Sequence, residues 1–387
     1  MGFQIASDES IKNGAITDVY FERVSEALRS RGINPFVEME VRASSLPLDW
    51  QWALFAGLEE VLELAEGLEA DLFAMEEGEV FYPGEPVLRM SGHYLDFGVY
   101  ETAVLGLICQ ASGIATNAAR CRMAAGERTL ISFGARRMHP ALAPMIERNA
   151  YVGGCDGVAV VESARRLGIE PSGTMSHTLI LCARDERTAY EAFDEAMGPE
   201  VKRIALIDTF QDEKFGALYA AEVLGDRLFG VRLDTPGSRR GDFLKIMQEV
   251  RWELDIRGFA DVEIFISGDI NEDRILEYNC VADAYGVGTH ISNSRVVNFA
   301  MDIVQVEGVP LAKRGKTSGV KQVWYCPEDG CRVMALVSDG PRECPVCGKA
   351  MSALLSERVR SGEVVSPGPP PAQIRAGVLR RLSGLEL

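Results

Sequence analysis

Apolar and polar positions change period several times along this chain. Residues 50–72 carry apolar side chains at helical spacing with acidic residues between them, which predicts a helix. The run EVFYPGEPVLRMSG (79–92) alternates apolar and polar positions about Pro83–Gly84 and predicts a β-hairpin or small sheet. Residues 100–125, YETAVLGLICQASGIATNAARCRMAA, are Ala-rich and apolar on nearly every side, as in one or two long buried helices.

From Arg128 onward short apolar runs recur: TLISFG (129–134), GVAVV (157–161), RIALID (203–208), LFGVRLD (228–234), VEIFISGD (262–269) and AYGVGT (284–289). Helical segments separate several of them: DERTAYEAFDEAMG, DEKFGALYAAEVLG and GDFLKIMQEVRWELDIRG. Such strand–helix alternation implies a parallel sheet, and six units in about 170 residues point to a β/α barrel. An open doubly wound sheet is the rival, weakened because no GxGxxG follows a first strand. Arg136, Glu162, Asp208, Asp234, Asp269 and the Gly286–Gly288 turn all fall at or just past strand ends. In a β/α barrel that face carries the active site. The fold class expected is α/β: an α/β N-terminal domain (1–115), an irregular β/α barrel (116–315) and a small zinc-binding C-terminal extension with tail (316–387). From Ser366, SPGPPPAQ reads as a Pro-rich linker before a short final helix.

The chain is 47% hydrophobic and 25% charged, ordinary for a globular protein. A net charge of −17 disfavours a nucleic-acid partner, because affinity for a polyphosphate comes largely from Lys and Arg. A local basic pocket for a small phosphorylated ligand remains compatible with it. The N-terminus has no signal-peptide pattern and no run of about 18 apolar residues occurs, so no membrane partner is expected. Cys109, Cys121, Cys155, Cys182 and Cys280 are scattered in apolar segments and read as buried thiols, which suits a reducing cytoplasm.

The remaining cysteines form Cys326-x4-Cys331-x12-Cys344-x2-Cys347, each pair in a tight turn containing Gly or Pro. Four thiolates at this spacing suit tetrahedral zinc in a ribbon or knuckle. A closed shell of four makes the metal structural, and only Arg332, Arg342 and Lys349 are basic nearby, so the segment reads as a clasp.

Seven short motifs occur in fixed order: Thr17-Asp18-Val19-Tyr20; Tyr94-Leu95-Asp96-Phe97-Gly98 followed by Glu101-Thr102-Ala103; Phe133-Gly134-Ala135-Arg136-Arg137; Gly173-Thr174-Met175-Ser176-His177; Ile207-Asp208-Thr209; Ser267-Gly268-Asp269; and Gly286-Val287-Gly288-Thr289. The series resembles the nicotinate phosphoribosyltransferases, with nicotinamide and quinolinate enzymes as more distant relatives. The zinc-bearing extension is similar to that of shorter, archaeal-type members.

The resemblance implies nicotinate and phosphoribosyl pyrophosphate as substrates, magnesium with the pyrophosphate, and ATP as a coupled reactant. It implies a homodimer or higher homo-oligomer with shared active sites, Tyr20 stacking on the ring from the neighbouring subunit. Phe133 is expected to stack on nicotinate, with Arg136 and Arg137 near its carboxylate or a phosphate, since the Arg fork matches such anions. Arg232 and Asp234 are expected near ribose and pyrophosphate. Asp208 and Asp269 suit ribose hydroxyls, magnesium or a cationic sugar. Gly268, Gly288 and Thr289 would offer amides and a hydroxyl to phosphate. Thr174 belongs to the motif whose histidine, His177, is the one phosphorylated by ATP. Taken alone, His177 would be a satisfied histidine at a strand start, and His139 reads as structural.

Two rivals are kept. A quinolinate phosphoribosyltransferase would decarboxylate as it transfers and would call for more Arg and Lys than the FGARR pair supplies. A non-catalytic scaffold docking through a zinc ribbon would be expected to have lost some of Arg136, His177, Asp208, Asp234 and Asp269.

Overall fold

A computed structural model describes residues 2–387. It divides into two compact units, one comprising the chain up to Thr116 with Arg295–Arg381, the other Asn117–Ser294 with Leu382–Leu387.

The first unit is built on a seven-stranded antiparallel sheet. Its strand order is Val309–Pro310, Phe299–Val306, Phe36–Ala43, Pro86–His93, Ala70–Ala74, Ser356–Arg360, Glu363–Val364. In Phe36–Ala43 the alternate residues Val37, Met39, Val41 and Ala43 are all buried, the period of two that places one face on a core. The expected helix over residues 50–72 shrinks to Leu58–Ala65, flanked by the strands Ala53–Leu54 and Ala70–Ala74. Gly57 and Gly67 take left-handed φ of 92° and 84°, which places turns at both ends of the helix. Of the expected β-hairpin or small sheet, the hairpin does not form. Gly84 makes the turn at φ 88°, but Val80–Phe81 pairs with Ala53–Leu54 while Pro86–His93 becomes a central strand between two others.

The long helix is present as Glu101–Ala125. The helical stretch Tyr94–Ala125 is long and apolar enough to cross a membrane by those criteria alone. Its Ile108, Ala111, Ile114, Ala115, Ala118 and Ala119 are fully buried in protein. Near the C-terminus a small three-stranded sheet (Lys321–Tyr325, Arg332–Leu336, Ser352–Ala353) carries the cysteine turns. The Pro-rich stretch leads to the helix Pro371–Leu382.

The second unit contains six strands, all parallel: Thr129–Ser132, Gly157–Val158, Ile204–Leu206, Gly230–Leu233, Glu263–Ser267 and Ala284–Val287. Each matches one of the apolar runs read from sequence. The first strand pairs with the second and with the last, so the chain order runs round a barrel left open between Gly157–Val158 and Ile204–Leu206. This topology removes the doubly wound rival. Helices Glu186–Ala196, Glu213–Leu224 and Phe243–Asp255 stand where the helical segments predict them. Asp185, Asp212 and Asp242 cap them by accepting from the N–H groups of Thr188, Phe215 and Lys245.

Candidate functional site

The strand ends of the barrel surround a cavity of ≈ 500 Å³. Lining it are Phe133, Arg136 and Arg137 from the first strand end, Thr174 and His177 from the GTMSH segment, and Arg232 and Asp234 from the fourth strand. Gly268, Asp269, Gly288 and Thr289 close the far side. Eleven residues singled out from sequence thus meet in one place.

Phe133 forms the apolar wall. Its N–H donates to Val287 O at 2.8 Å, its ring stacks on Phe265 with centroids 6.1 Å apart, and the Arg232 guanidinium lies 5.3 Å from its ring centre. A β-carbon at Gly286 would sit 2.3 Å from Phe133 Cδ2, so the ring's place depends on glycine there. Arg232 is held at all three nitrogens: Nε donates to Ser267 Oγ (2.8 Å), Nη1 to Thr174 Oγ1 (2.8 Å) and Nη2 to Asp234 Oδ2 (3.0 Å). A guanidinium held at three corners is a preorganised cation beside an aromatic face.

His177 begins a helix, His177–Ala183, rather than a strand, because Ser176 caps it by accepting from Leu179 N–H. Its Nδ1 is 2.9 Å from Thr209 Oγ1, and its Nε2 lies 3.9 Å from Asp208 Oδ1 and 3.8 Å from Asp234 Oδ2. Asp208 is not a lining residue but stands behind His177, its side chain 4% exposed. Its Oδ2 accepts from Asp234 N–H (2.7 Å) and Thr235 Oγ1 (2.9 Å), while its Oδ1 has no hydrogen-bond partner. Burial pushes the Asp208 carboxyl above its ordinary range, with those two hydrogen bonds acting in the opposite direction. Asp269 sits at a left-handed φ of 48° directly after Gly268 at 79°, a strained pair of the kind that clusters at functional sites.

Several expected residues lie elsewhere. Tyr20 is on the helix Val19–Ser30 of the first unit, 52% exposed, and does not line the cavity. Its motif is fastened by Asp18, whose N–H donates to Thr102 Oγ1 and whose carboxylate accepts from the same hydroxyl. Glu162 is spent on Arg165 and Arg166 at the surface. His139 caps a 3-10 turn, accepting from Ala141 N–H. Cys182 and Cys280 are exposed and Cys109 half-buried, so of the five scattered thiols only Cys121 and Cys155 match the expectation of burial. Residues not singled out from sequence include Ser172 and Ala159 in the lining, and Thr235 and Arg240 behind it; Ser267 stands within a motif but carries no expected role. Their types are common in turns, and nothing in their spacing distinguishes them.

In the first unit, Cys326, Asp329, Cys344 and Cys347 each bring a ligand atom within 4.8 Å of the others. Cys331, the fourth expected thiol, packs beside Cys326 and Cys344 but stands outside that group. Cys344 donates its thiol hydrogen to Asp329 (3.0 Å), and its sulfur accepts from Val346 N–H (3.4 Å). Three soft sulfur donors on two tight turns, with backbone N–H aimed at sulfur, fit a tetrahedral metal such as zinc.

The open parallel barrel and the arginine- and aspartate-lined cavity at its strand ends define a type II phosphoribosyltransferase. Two family models match the chain, those of the quinolinate phosphoribosyl transferase N-terminal domain over residues 18–112 and of its C-terminal domain over residues 114–302. Within that class the chain belongs to the nicotinate phosphoribosyltransferase family. It is 30% identical over 341 residues to a nicotinate phosphoribosyltransferase of Mycobacterium tuberculosis, covering 78% of this chain and 74% of that one. The crystal structure of a nicotinate-nucleotide pyrophosphorylase from Pyrococcus furiosus superposes over 100% of both chains, with a TM-score of 0.98 and 48% identity. The human nicotinic acid phosphoribosyltransferase shares the fold, with a TM-score of 0.75 at 21% identity over 96% of this chain and 94% of the human one. The chain is an enzyme of this type, a phosphoribosyltransferase of NAD biosynthesis.

Proposed function

We propose that the cavity joins nicotinate to the C1 of phosphoribosyl pyrophosphate, giving nicotinate mononucleotide and pyrophosphate. The observation that carries this reading is the Arg232 guanidinium over the Phe133 ring. A flat aromatic anion needs an apolar face and a fixed cation, and the two stand 5.3 Å apart. The pyridine nitrogen supplies the electron pair for the new bond to C1, and the C1–oxygen bond breaks with its pair leaving on pyrophosphate. The sugar becomes cationic on the way, so Asp234 and Asp269 at the cavity wall serve the transition state by holding negative charge near C1. Arg136 and Arg137 serve the anionic groups of the ligands, and the Gly286–Thr289 turn serves the 5-phosphate. Magnesium, when bound, neutralises the departing pyrophosphate, and the strand-end carboxylates are the residues suited to hold it.

We assign coupling to ATP to His177. With Nδ1 engaged by Thr209, Nε2 is the nitrogen left to attack the γ-phosphorus of ATP, the phosphorus–oxygen bond breaking with its pair on the departing ADP, and Asp208 and Asp234 flank it. Tyr20, exposed on its helix, suits the cavity of a second copy in a homodimer. The convergent thiols of Cys326, Cys344 and Cys347 suit one structural zinc, with Cys331, which packs beside Cys326 and Cys344, turning in as the fourth thiolate and Asp329 accepting from Cys344 until metal displaces its proton. Release of about one zinc per chain on unfolding with a chelator is expected, and release of none excludes the site.

An endpoint assay tests the reaction. Nicotinate, nicotinamide and quinolinate are offered separately with phosphoribosyl pyrophosphate and magnesium, each with and without ATP. Product from nicotinate is expected, stimulated by ATP in the wild type and unstimulated in His177→Ala. Product from quinolinate instead moves the reading to the decarboxylating relative.

A further inference from the structure

We infer that Arg240, outside the cavity, is a positioning residue that turns two backbone amides toward the phosphoryl oxygens of the substrate. The inference rests on the reading of the cavity as a phosphoribosyl pyrophosphate site.

Arg240 ends the short helix Gly237–Arg240 that follows the fourth strand. Its Nε donates to Thr235 O at 2.7 Å, and its Nη2 donates to Ser267 O at 3.1 Å and to Gly268 O at 2.5 Å. One guanidinium therefore ties the loop after the fourth strand to the loop after the fifth. Its carbon also lies 4.8 Å from the Phe243 ring centre, so the planar group is held on its face as well as at its edges.

The consequence follows from peptide geometry. In a planar trans peptide the C=O and the next N–H point in opposite directions. Both Ser267 O and Gly268 O are drawn to Arg240, so the N–H groups of Gly268 and Asp269 both point away from it. Ser267, Gly268 and Asp269 line the cavity and Arg240 does not. Asp269 N–H donates to no protein acceptor among the described residues, and Gly268 N–H, at the end of the Ser267–Gly286 parallel pairing, is directed to the Gly286 side of the cavity. Two adjacent amides on one side of a loop form a small anion-binding concavity. The left-handed φ of Asp269 (48°), a non-glycine residue, is the backbone cost of this arrangement, and three charge-assisted hydrogen bonds from Arg240 offset it. Glycine at 268 is needed for the same reason: a β-carbon there would lie 2.8 Å from Arg240 Nη2 and 3.1 Å from Asp234 Oδ1.

Phosphoryl oxygen could reach these amides from the pyrophosphate or from the 5-phosphate. The test separates the two by titrating pyrophosphate with magnesium, ribose 5-phosphate and nicotinate into wild type, Arg240→Lys and Arg240→Ala. In Arg240→Ala the affinity for one phosphate probe is expected to fall about tenfold or more, with nicotinate affinity unchanged. Arg240→Lys recovers little, because an ammonium cannot hold three acceptors in one plane, whereas ethylguanidinium added to Arg240→Ala restores binding. Equal loss for all three ligands, or no rescue, makes Arg240 a merely structural residue and overturns the inference. Unchanged affinity for both phosphates overturns it as well. Should Arg240→Ala not fold, Gly268→Ala is the substitute, with the same selective loss expected and its absence equally decisive. A wild-type protein that binds neither phosphate overturns the substrate reading itself.

Discussion

At the scale of single residues, the most informative group is Asp208. Its side chain is buried, one oxygen is satisfied twice and the other is left facing His177. Burial holds its carboxyl above the ordinary range, so folding favours its protonated form. The stability this contributes is fully present below the ordinary carboxylate pKa and is lost as pH rises through the folded-state value. Asp208→Asn removes that pH dependence while its amide oxygen can still accept from Asp234 N–H and Thr235. The variant is expected to melt at or above the wild-type temperature at neutral pH, with the difference closing in acid, and to lose turnover about a hundredfold. Thermal melts across pH together with the endpoint assay check both halves; a variant less stable than wild type at neutral pH shows that the hydrogen bonds outweigh burial. The sequence marked Asp208 as a strand-end carboxylate within a family motif, suited to ribose hydroxyls, magnesium or a cationic sugar. That it stands behind His177 instead of lining the cavity was not legible, because direction within a loop depends on which backbone groups the carboxylate captures.

Among elements, the barrel strands were the most legible part of the molecule. Their apolar runs are five to eight residues long and several are separated by Asp-capped helices, so local pattern and final structure agree. The region before residue 100 was less so. In residues 50–72 both the Trp50–Leu54 stretch and the Leu58–Ala65 helix carry apolar residues, and the left-handed Gly57 divides them while Gly67 turns the chain after the helix. Glycine also separates two kinds of contact within the barrel. A β-carbon at Gly216 would lie 1.9 Å from Ile207 O, backbone against backbone, where the helix Glu213–Leu224 meets its strand. Gly216→Ala is expected to cost about 1–3 kcal/mol of stability with kinetic constants little changed. At Gly286 the obstacle is instead the Phe133 ring. Gly286→Ala is expected to raise KM for nicotinate about tenfold or more while the melting temperature falls less than in Gly216→Ala. Chemical denaturation and steady-state kinetics on the pair check the split, and a Gly286 variant with normal KM removes Phe133 from the base site.

On the scale of the whole molecule, the first unit is discontinuous: the chain leaves it near Thr116 and returns at Arg295. Sequence order hides this, because antiparallel pairing of Phe299–Val306 with Phe36–Ala43, and of Ser356–Arg360 with Ala70–Ala74, joins segments more than 250 residues apart. Such pairings carry no local signature. Along one of these long-range seams lies a charge pair that apolar patterning could not have suggested. Glu40 is fully buried in the strand Phe36–Ala43, and Lys321 begins the strand Lys321–Tyr325. Lys321 N–H donates to Glu40 Oε1 (2.6 Å), and Lys321 Nζ donates to Glu40 Oε2 (3.1 Å), Thr317 O (3.0 Å) and Gly319 O (2.6 Å). A buried pair with its remaining donors satisfied adds little net stability over an apolar pair, but losing one member strands the other charge in a low-dielectric interior. Lys321→Met is therefore expected to destabilise by about 3–5 kcal/mol. Adding Glu40→Gln keeps an acceptor for the Lys321 N–H while removing the stranded charge, so the double variant should be more stable than Lys321→Met alone. Melting temperatures of the two single variants and the double variant decide the matter. A double variant no more stable than Lys321→Met would mean that the lysine's hydrogen bonds to Thr317 and Gly319, rather than its charge, hold the returning segment in place.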